Sequence, residues 1–188
     1  MVNILQLWLP LLISSVVVFL ASWAVHMLPV WHKSDYPKMP NEDRVRDAIR
    51  PLSIPPGEYI VPRAASSKEM CAPEFVEKLK QGPVLMLTVW PNQPFTMGKS
   101  LVWWFIYCLI VGIFCAYVAG RALTPAAAFG DVFRFVGVTA FLSYALALWQ
   151  SVIWYKRSGS VTAKMTLDGL IYAVLTGATF GLLWPKLG

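Results

Sequence analysis

Four apolar runs, each close to the ~20 residues that a helix needs to cross a bilayer core, constrain this chain more than any other feature. They are ILQLWLPLLISSVVVFLASWAVHML (4–28), LVWWFIYCLIVGIFCAYVAG (101–120), DVFRFVGVTAFLSYALALWQSVIWY (131–155) and MTLDGLIYAVLTGATFGLLW (165–184). The connections RALTPAAAFG (121–130) and KRSGSVTAK (156–164) are short, and short connections force neighbouring helices to pack antiparallel. The predicted fold class is a mostly α membrane protein: four transmembrane helices, with a small α+β polar insert between the first and second. Helix 1 is expected over 4–30, the insert at the membrane surface over 31–99, and a three-helix hairpin bundle over 100–185.

Composition agrees. Charged residues make up 14% of the chain, against about 25% in soluble domains. Nine Trp and seven Tyr suit headgroup interfaces, where amphipathic rings collect. The insert carries 18 of the 26 formal charges. A net charge of +6, with no basic cluster interleaved with aromatics outside the membrane flanks, indicates topology and lipid contact and excludes nucleic acid as a partner. Cys71, Cys108 and Cys115 give no disulfide framework. Helix 1 lacks a basic lead-in and is longer than a signal core, so it is read as retained rather than cleaved.

Lys33, Lys38, Lys99, Lys156, Arg157 and Lys164 flank the insert side, against Arg121, Arg134 and Lys186 opposite. That bias predicts a cytoplasmic insert and external termini; the expected location is a bacterial cytoplasmic membrane.

Within the insert, MPNEDRVRDAIRP (39–51) predicts a helix capped by Asn41 and ended by Pro51, and PPGEYIVP (55–62) a turn and short strand. Pro73 opens a second helix that Gly82 should close in a left-handed cap. PVLMLTVWP (83–91) is too continuously apolar for a strand with a wet face and calls for cover on both sides. Phe75, Val76, Leu79, Leu85 and Leu87 are the expected contact surface. Cys71 lies at a helix start with no histidine near it in sequence, which favours a structural residue under the cap over a nucleophile.

Small residues recur at four-residue spacing: Cys108, Gly112, Ala116 and Gly120 in the second run, and Gly169, Ala173, Gly177 and Gly181 in the fourth. Each set occupies one helix face and lets backbones approach. The stripes serve packing within the bundle or reception of a partner helix. Ser14, Ser15 and Ser22 are expected to hydrogen-bond between helices. Trp31, Trp103, Trp104, Trp154 and Tyr155 form an expected interfacial belt on the insert side, with Trp8 and Trp184 at the other face.

Charges inside the runs are few, and such groups ordinarily mark transport or proton relay. Asp131 and Arg134 can pair, Asp168 lies one turn from Lys164 near an interface, and Gln150 is a candidate polar membrane residue. His26 and His32 flank Pro29, and metal or haem ligation would need further ligands such as Met39, Met70 or Cys71. No recognised ligand spacing is present, so neither metal nor cofactor is expected.

The expected function is that of a non-catalytic accessory, assembly or scaffold subunit. Its expected partners are membrane lipid and another membrane protein or a second copy. A small oligomeric transporter or channel, with substrate passing between the second and fourth helices, is the alternative. A redox protein or enzyme using His26, His32 or Cys71 is the other.

Overall fold

The computed structural model describes residues 1–27, 30–94 and 96–185; Pro29 and Lys186 lie outside them. A 3-10 turn (Ile4–Leu7) leads into α1 (Trp8–Met27), and a second (Val30–His32) follows it. Next come α2 (Glu42–Ile49), β1 (Gly57–Val61), α3 (Ser67–Met70), α4 (Pro73–Gln81) and β2 (Leu85–Val89). Then follow α5 (Gly98–Ala122), α6 (Phe129–Tyr144), α7 (Trp149–Tyr155) and α8 (Gly159–Leu182). Ile4–Met27, Gly98–Ala122, Phe129–Tyr155 and Gly159–Leu182 are long and apolar enough to cross a membrane. The chain divides into a helical unit, Met1–Tyr36 with Thr96–Gly188, and an insert unit, Pro37–Phe95.

In the helical unit, α1 packs on α5 and α8, α5 on α6, and α6 most extensively on α8. The core is built from small and branched side chains, among them Val18, Cys115, Ala119, Val136, Ala140 and Phe180. Both small-residue stripes face inward. A methyl at Gly112 would lie 3.2 Å from Leu11 Cγ, and one at Gly120 would lie 2.8 Å from the Val2 carbonyl oxygen. On α8, a methyl at Gly177 would meet the Phe133 carbonyl oxygen at 2.9 Å, and one at Gly181 the Phe129 ring at 2.6 Å. Cys108, Ala116 and Ala173 are buried in the same seams. The α1–α5 and α6–α8 pairs therefore approach backbone to backbone, as small-residue faces permit.

The third apolar run differs from the single helix expected over 131–155. Its α-helix ends at Tyr144, Ala145 adopts φ −126° and ψ −44°, and a 3-10 turn (Leu146–Leu148) precedes α7. Ala145 fits tightly against α8, where a methyl on Gly169 would stand 2.8 Å from Ala145 Cβ. The Tyr107 hydroxyl donates to the Ser143 carbonyl at 2.7 Å. Side chains of this kind stabilise backbone groups where a helical ladder is interrupted. The fourth helix begins at Gly159 rather than 165, capped by Ser158, whose hydroxyl accepts from the Val161 N–H at 3.4 Å. That cap draws residues of the expected loop into the helix.

Serines 14 and 15 do not bridge helices. Both hydroxyls donate to the Leu11 carbonyl of their own helix, at 3.0 and 2.8 Å, the usual local competitor for a helical serine. Trp184, expected at the interface, is buried, and its indole N–H donates to the Thr124 carbonyl at 3.0 Å.

In the insert unit, β1 and β2 pair antiparallel, with Tyr59 opposite Leu87 and Ile60 opposite Met86. Asn41 precedes α2 but makes no side-chain cap, because its left-handed backbone (φ 52°, ψ 40°) departs from the extended geometry that capping requires. Gly82 ends α4 with φ 58° and ψ −173°. This is a glycine conformation but not the left-handed cap expected, since the following Pro83 disfavours the helical region for its predecessor. Ser66 and Glu69 nucleate α3: the Ser66 hydroxyl accepts from the Glu69 N–H at 3.2 Å, and the Glu69 carboxylate accepts from the Ala65 N–H at 2.7 Å.

Candidate functional site

The α-helical unit holds a cleft of about 790 Å³ where the chain leaves α1 and enters α5. Its walls come from Phe19 and Trp23 of α1, Trp103, Trp104 and Tyr107 of α5, Tyr144 of α6, and Tyr172 of α8. Four of these rings form one cluster. Trp104 lies 5.6 Å from Tyr107, 6.2 Å from Tyr144 and 6.0 Å from Tyr172 between centroids, and Tyr144 and Tyr172 meet edge-on at 5.6 Å. The Trp104 indole N–H donates to the Ser22 hydroxyl at 2.7 Å. Trp104 thus faces inward and not into the belt expected of it, because its polar atom has a partner on α1. Trp31, Trp103, Trp154 and Tyr155 are exposed.

Polar groups converge at one end of the cleft. His26, in the last turn of α1, accepts nothing at Nδ1: that nitrogen faces the Ser22 carbonyl at 2.9 Å, so it carries the proton and donates. The His32 ring stacks on the His26 ring, centroids 4.5 Å apart and planes 8° from parallel. His32 Nδ1 lies 2.6 Å from Asp35 Oδ2, and its Nε2 lies 3.1 Å from Asp168 Oδ2. Asp35, its side chain 4% exposed, also accepts from Lys164 Nζ at 2.6 Å. Lys164 completes its three donors with the Trp31 carbonyl at 2.8 Å and the Ser34 hydroxyl at 3.0 Å. Residues 31–35 are in this way latched to α8.

The latch fixes charge as well as shape. The Lys164 ammonium, which donates to it, and then His32 hold the Asp35 carboxyl below its ordinary value of 3.8. Asp168 is left with a different environment. Its side chain is 5% exposed, and Oδ2, like His32 Nε2 and the Tyr172 hydroxyl, has no aligned hydrogen-bond partner among the described residues. Such groups are costly in an apolar interior and call for an explanation.

The residues singled out from sequence distribute unevenly around this site. His26 and Asp168 line the cleft and His32 joins them, whereas Cys71 is exposed in the insert unit rather than sheltered under a cap. Asp131 and Arg134 pair at 3.4 Å on an exposed face, and Gln150 is exposed on α7. Among the described residues, none of these three lines the cleft. Cys108, Gly112, Ala116, Gly120, Gly169, Ala173, Gly177 and Gly181 form the seams described above, with Gly169 reaching the cleft wall.

In the insert, Phe75 is buried and unavailable to a partner, while Val76, Leu79 and Leu85 are exposed and Leu87 is half-buried. Two exposed apolar cross-strand pairs result, Ile60 with Met86 and Val61 with Leu85. Strand alternation applied to 57–61 would have found Ile60. Asp168, read from sequence as an interfacial charge, was legible as the sole carboxylate of the fourth run. Comparison with protein-family models, curated proteins and solved structures finds no match to this chain.

Proposed function

We propose that the chain is an integral membrane protein that works by association, as an accessory or assembly subunit, and that the insert is its contact element. The observation that carries this reading is the hairpin of β1 and β2. A two-stranded sheet is marginal by itself, and this one exposes Ile60, Val61, Leu85 and Met86. The pairs Ile60–Met86 and Val61–Leu85 lie on opposite faces, so both faces offer apolar side chains beside strand edges that are a template for another chain. The small-residue stripes support the same emphasis from the other direction, since both are filled within the bundle and leave recognition to the insert. The Lys and Arg bias supports a cytoplasmic side for that insert.

The test is native mass spectrometry of the protein after gentle solubilisation from its own membrane. The expected result is a larger assembly that Ile60→Lys with Met86→Lys disperses while the helical unit keeps its melting temperature. A lone monomer under these conditions would sink the reading.

A second reading is favoured by the cleft: a carrier for an amphiphilic, ring-bearing molecule. The cleft lies partly between the second and fourth apolar helices, its volume falls in the range of small-molecule sites, and its aromatic walls end in His26 and Asp168. Flux through reconstituted vesicles, lost in Asp168→Asn and kept in the hairpin double variant, would separate it from the first.

A further inference from the structure

We propose that His26, His32 and Asp168 form a binding site for a first-row divalent transition-metal ion of the Zn2+ class. The donor atoms of the three side chains lie within 4.8 Å of one another. They come from the end of α1, the turn that follows it, and α8, so the site is assembled by the fold and has no signature in sequence spacing.

The hydrogen bonds around the cluster set the ligand atoms. His26 donates its Nδ1 proton to the Ser22 carbonyl, which leaves Nε2 with its lone pair. His32 presents Nδ1 to Asp35 at 2.6 Å, which likewise places a proton on Nδ1 and, in the neutral ring that binds a metal, leaves the lone pair on Nε2. Metal-bound histidines are oriented in this manner, by a carbonyl or a carboxylate on the far nitrogen. Asp35 is itself fixed by Lys164, so the support extends one layer further out.

The inner atoms then pose a problem that a cation solves. His32 Nε2 and Asp168 Oδ2, two acceptors in these protonation states, stand 3.1 Å apart in a buried place and out of hydrogen-bond alignment. Lys164 cannot relieve them, because its three donors are engaged by residues 31–35. Ligands bonded at ~2.0–2.1 Å to one zinc ion lie about 3.0–3.4 Å from each other. The ion sits to one side of the line joining them, which suits a pair that a shared proton between the two atoms would not. His26 is the adjustable member. Its ring stacks flat on His32 and is exposed, so a side-chain rotation that gives up the stack and the Ser22 hydrogen bond brings Nε2 inward. Two imidazoles and one carboxylate favour zinc or iron over calcium or magnesium, which prefer oxygen alone. Three protein ligands leave a position open toward the cleft, the arrangement of sites that engage a further molecule.

The experiment uses the full chain, purified in detergent, stripped with chelator and titrated with ZnCl2 alone by calorimetry, with metal content counted by elemental analysis. One equivalent per chain is expected, with no calcium uptake under the same conditions. His26→Gln changes an exposed side chain at a helix end, keeps the melting temperature and weakens Zn2+ binding at least ~10-fold. Asp35→Asn, which orients His32 without touching the ion, weakens it ~10–100-fold. Asp168→Asn abolishes binding; should that buried change unfold the protein, His26→Gln and His32→Gln carry the test. Cys71→Ser leaves the titration unchanged. The proposal is overturned by the absence of saturable Zn2+ binding, by wild-type affinity in both histidine variants, or by loss of binding in Cys71→Ser.

Discussion

Lys164 Nζ lies 2.6 Å from Asp35 Oδ1, an ion pair that joins the first turn beyond α1 to the first third of α8. With one partner almost fully buried, removal of the other leaves a carboxylate without its cation. Lys164→Met is expected to lower the melting temperature of the helical unit, by less than the loss of a fully buried pair would because Lys164 keeps some exposure. Adding Asp35→Asn to that variant should restore part of the loss. Thermal melts of the two variants in one detergent check both signs.

The same pair makes stability depend on acid. Folding lowers the Asp35 carboxyl below 3.8, through Lys164 first and His32 second. A carboxyl lowered in this direction stabilises the fold in full above its unfolded value and loses that contribution as pH falls through the lower, folded one. The melting temperature should therefore drop below ~pH 4 more steeply in the parent protein than in Asp35→Asn. Parallel profiles would remove Asp35 from the account.

Glycines of α8 should respond according to what faces them. A methyl at Gly177 meets backbone, the Phe133 carbonyl oxygen, at 2.9 Å, so Gly177→Ala forces α6 and α8 apart at a cost of about 1–3 kcal/mol. Gly159 has nothing within 4 Å, and Gly159→Ala should be neutral or stabilising by up to ~1 kcal/mol through helix propensity. Opposite signs in melting temperature are the expected readout.

Tyr107→Phe removes the donor to the Ser143 carbonyl. The global cost should be modest, about 0.6–1.7 kcal/mol as for hydrogen bonds between membrane helices. Its local effect should be larger, with faster amide exchange over 144–148 than in the rest of α6, measured by hydrogen–deuterium exchange mass spectrometry.

The four long helices were legible because each is dictated by a property summed over twenty residues, and no single contact decides it. The interruption at Ala145 was not. Leu142 to Leu148 contain neither proline nor glycine, and the break depends on a tight fit against Gly169 that only the packed pair defines. The polar cluster was half legible. His26 and His32 were visible as a pair, but the third donor comes from α8, and the latch that brings it close runs through Lys164, whose charge had been assigned to topology. The hairpin strands were found from composition and turns. Which apolar side chains would meet across them depended on register, which pairs Ile60 with Met86 and Val61 with Leu85.

The latch also sets an order of events. Residues 31–35 are made early and Lys164 late, 129 positions after Asp35. While the ribosome is still completing the intervening insert and two apolar helices, the segment beyond α1 lacks its contacts with Lys164 and Asp168. Arrival of α8 closes the cluster, so a helix made much later determines the path by which the chain left α1.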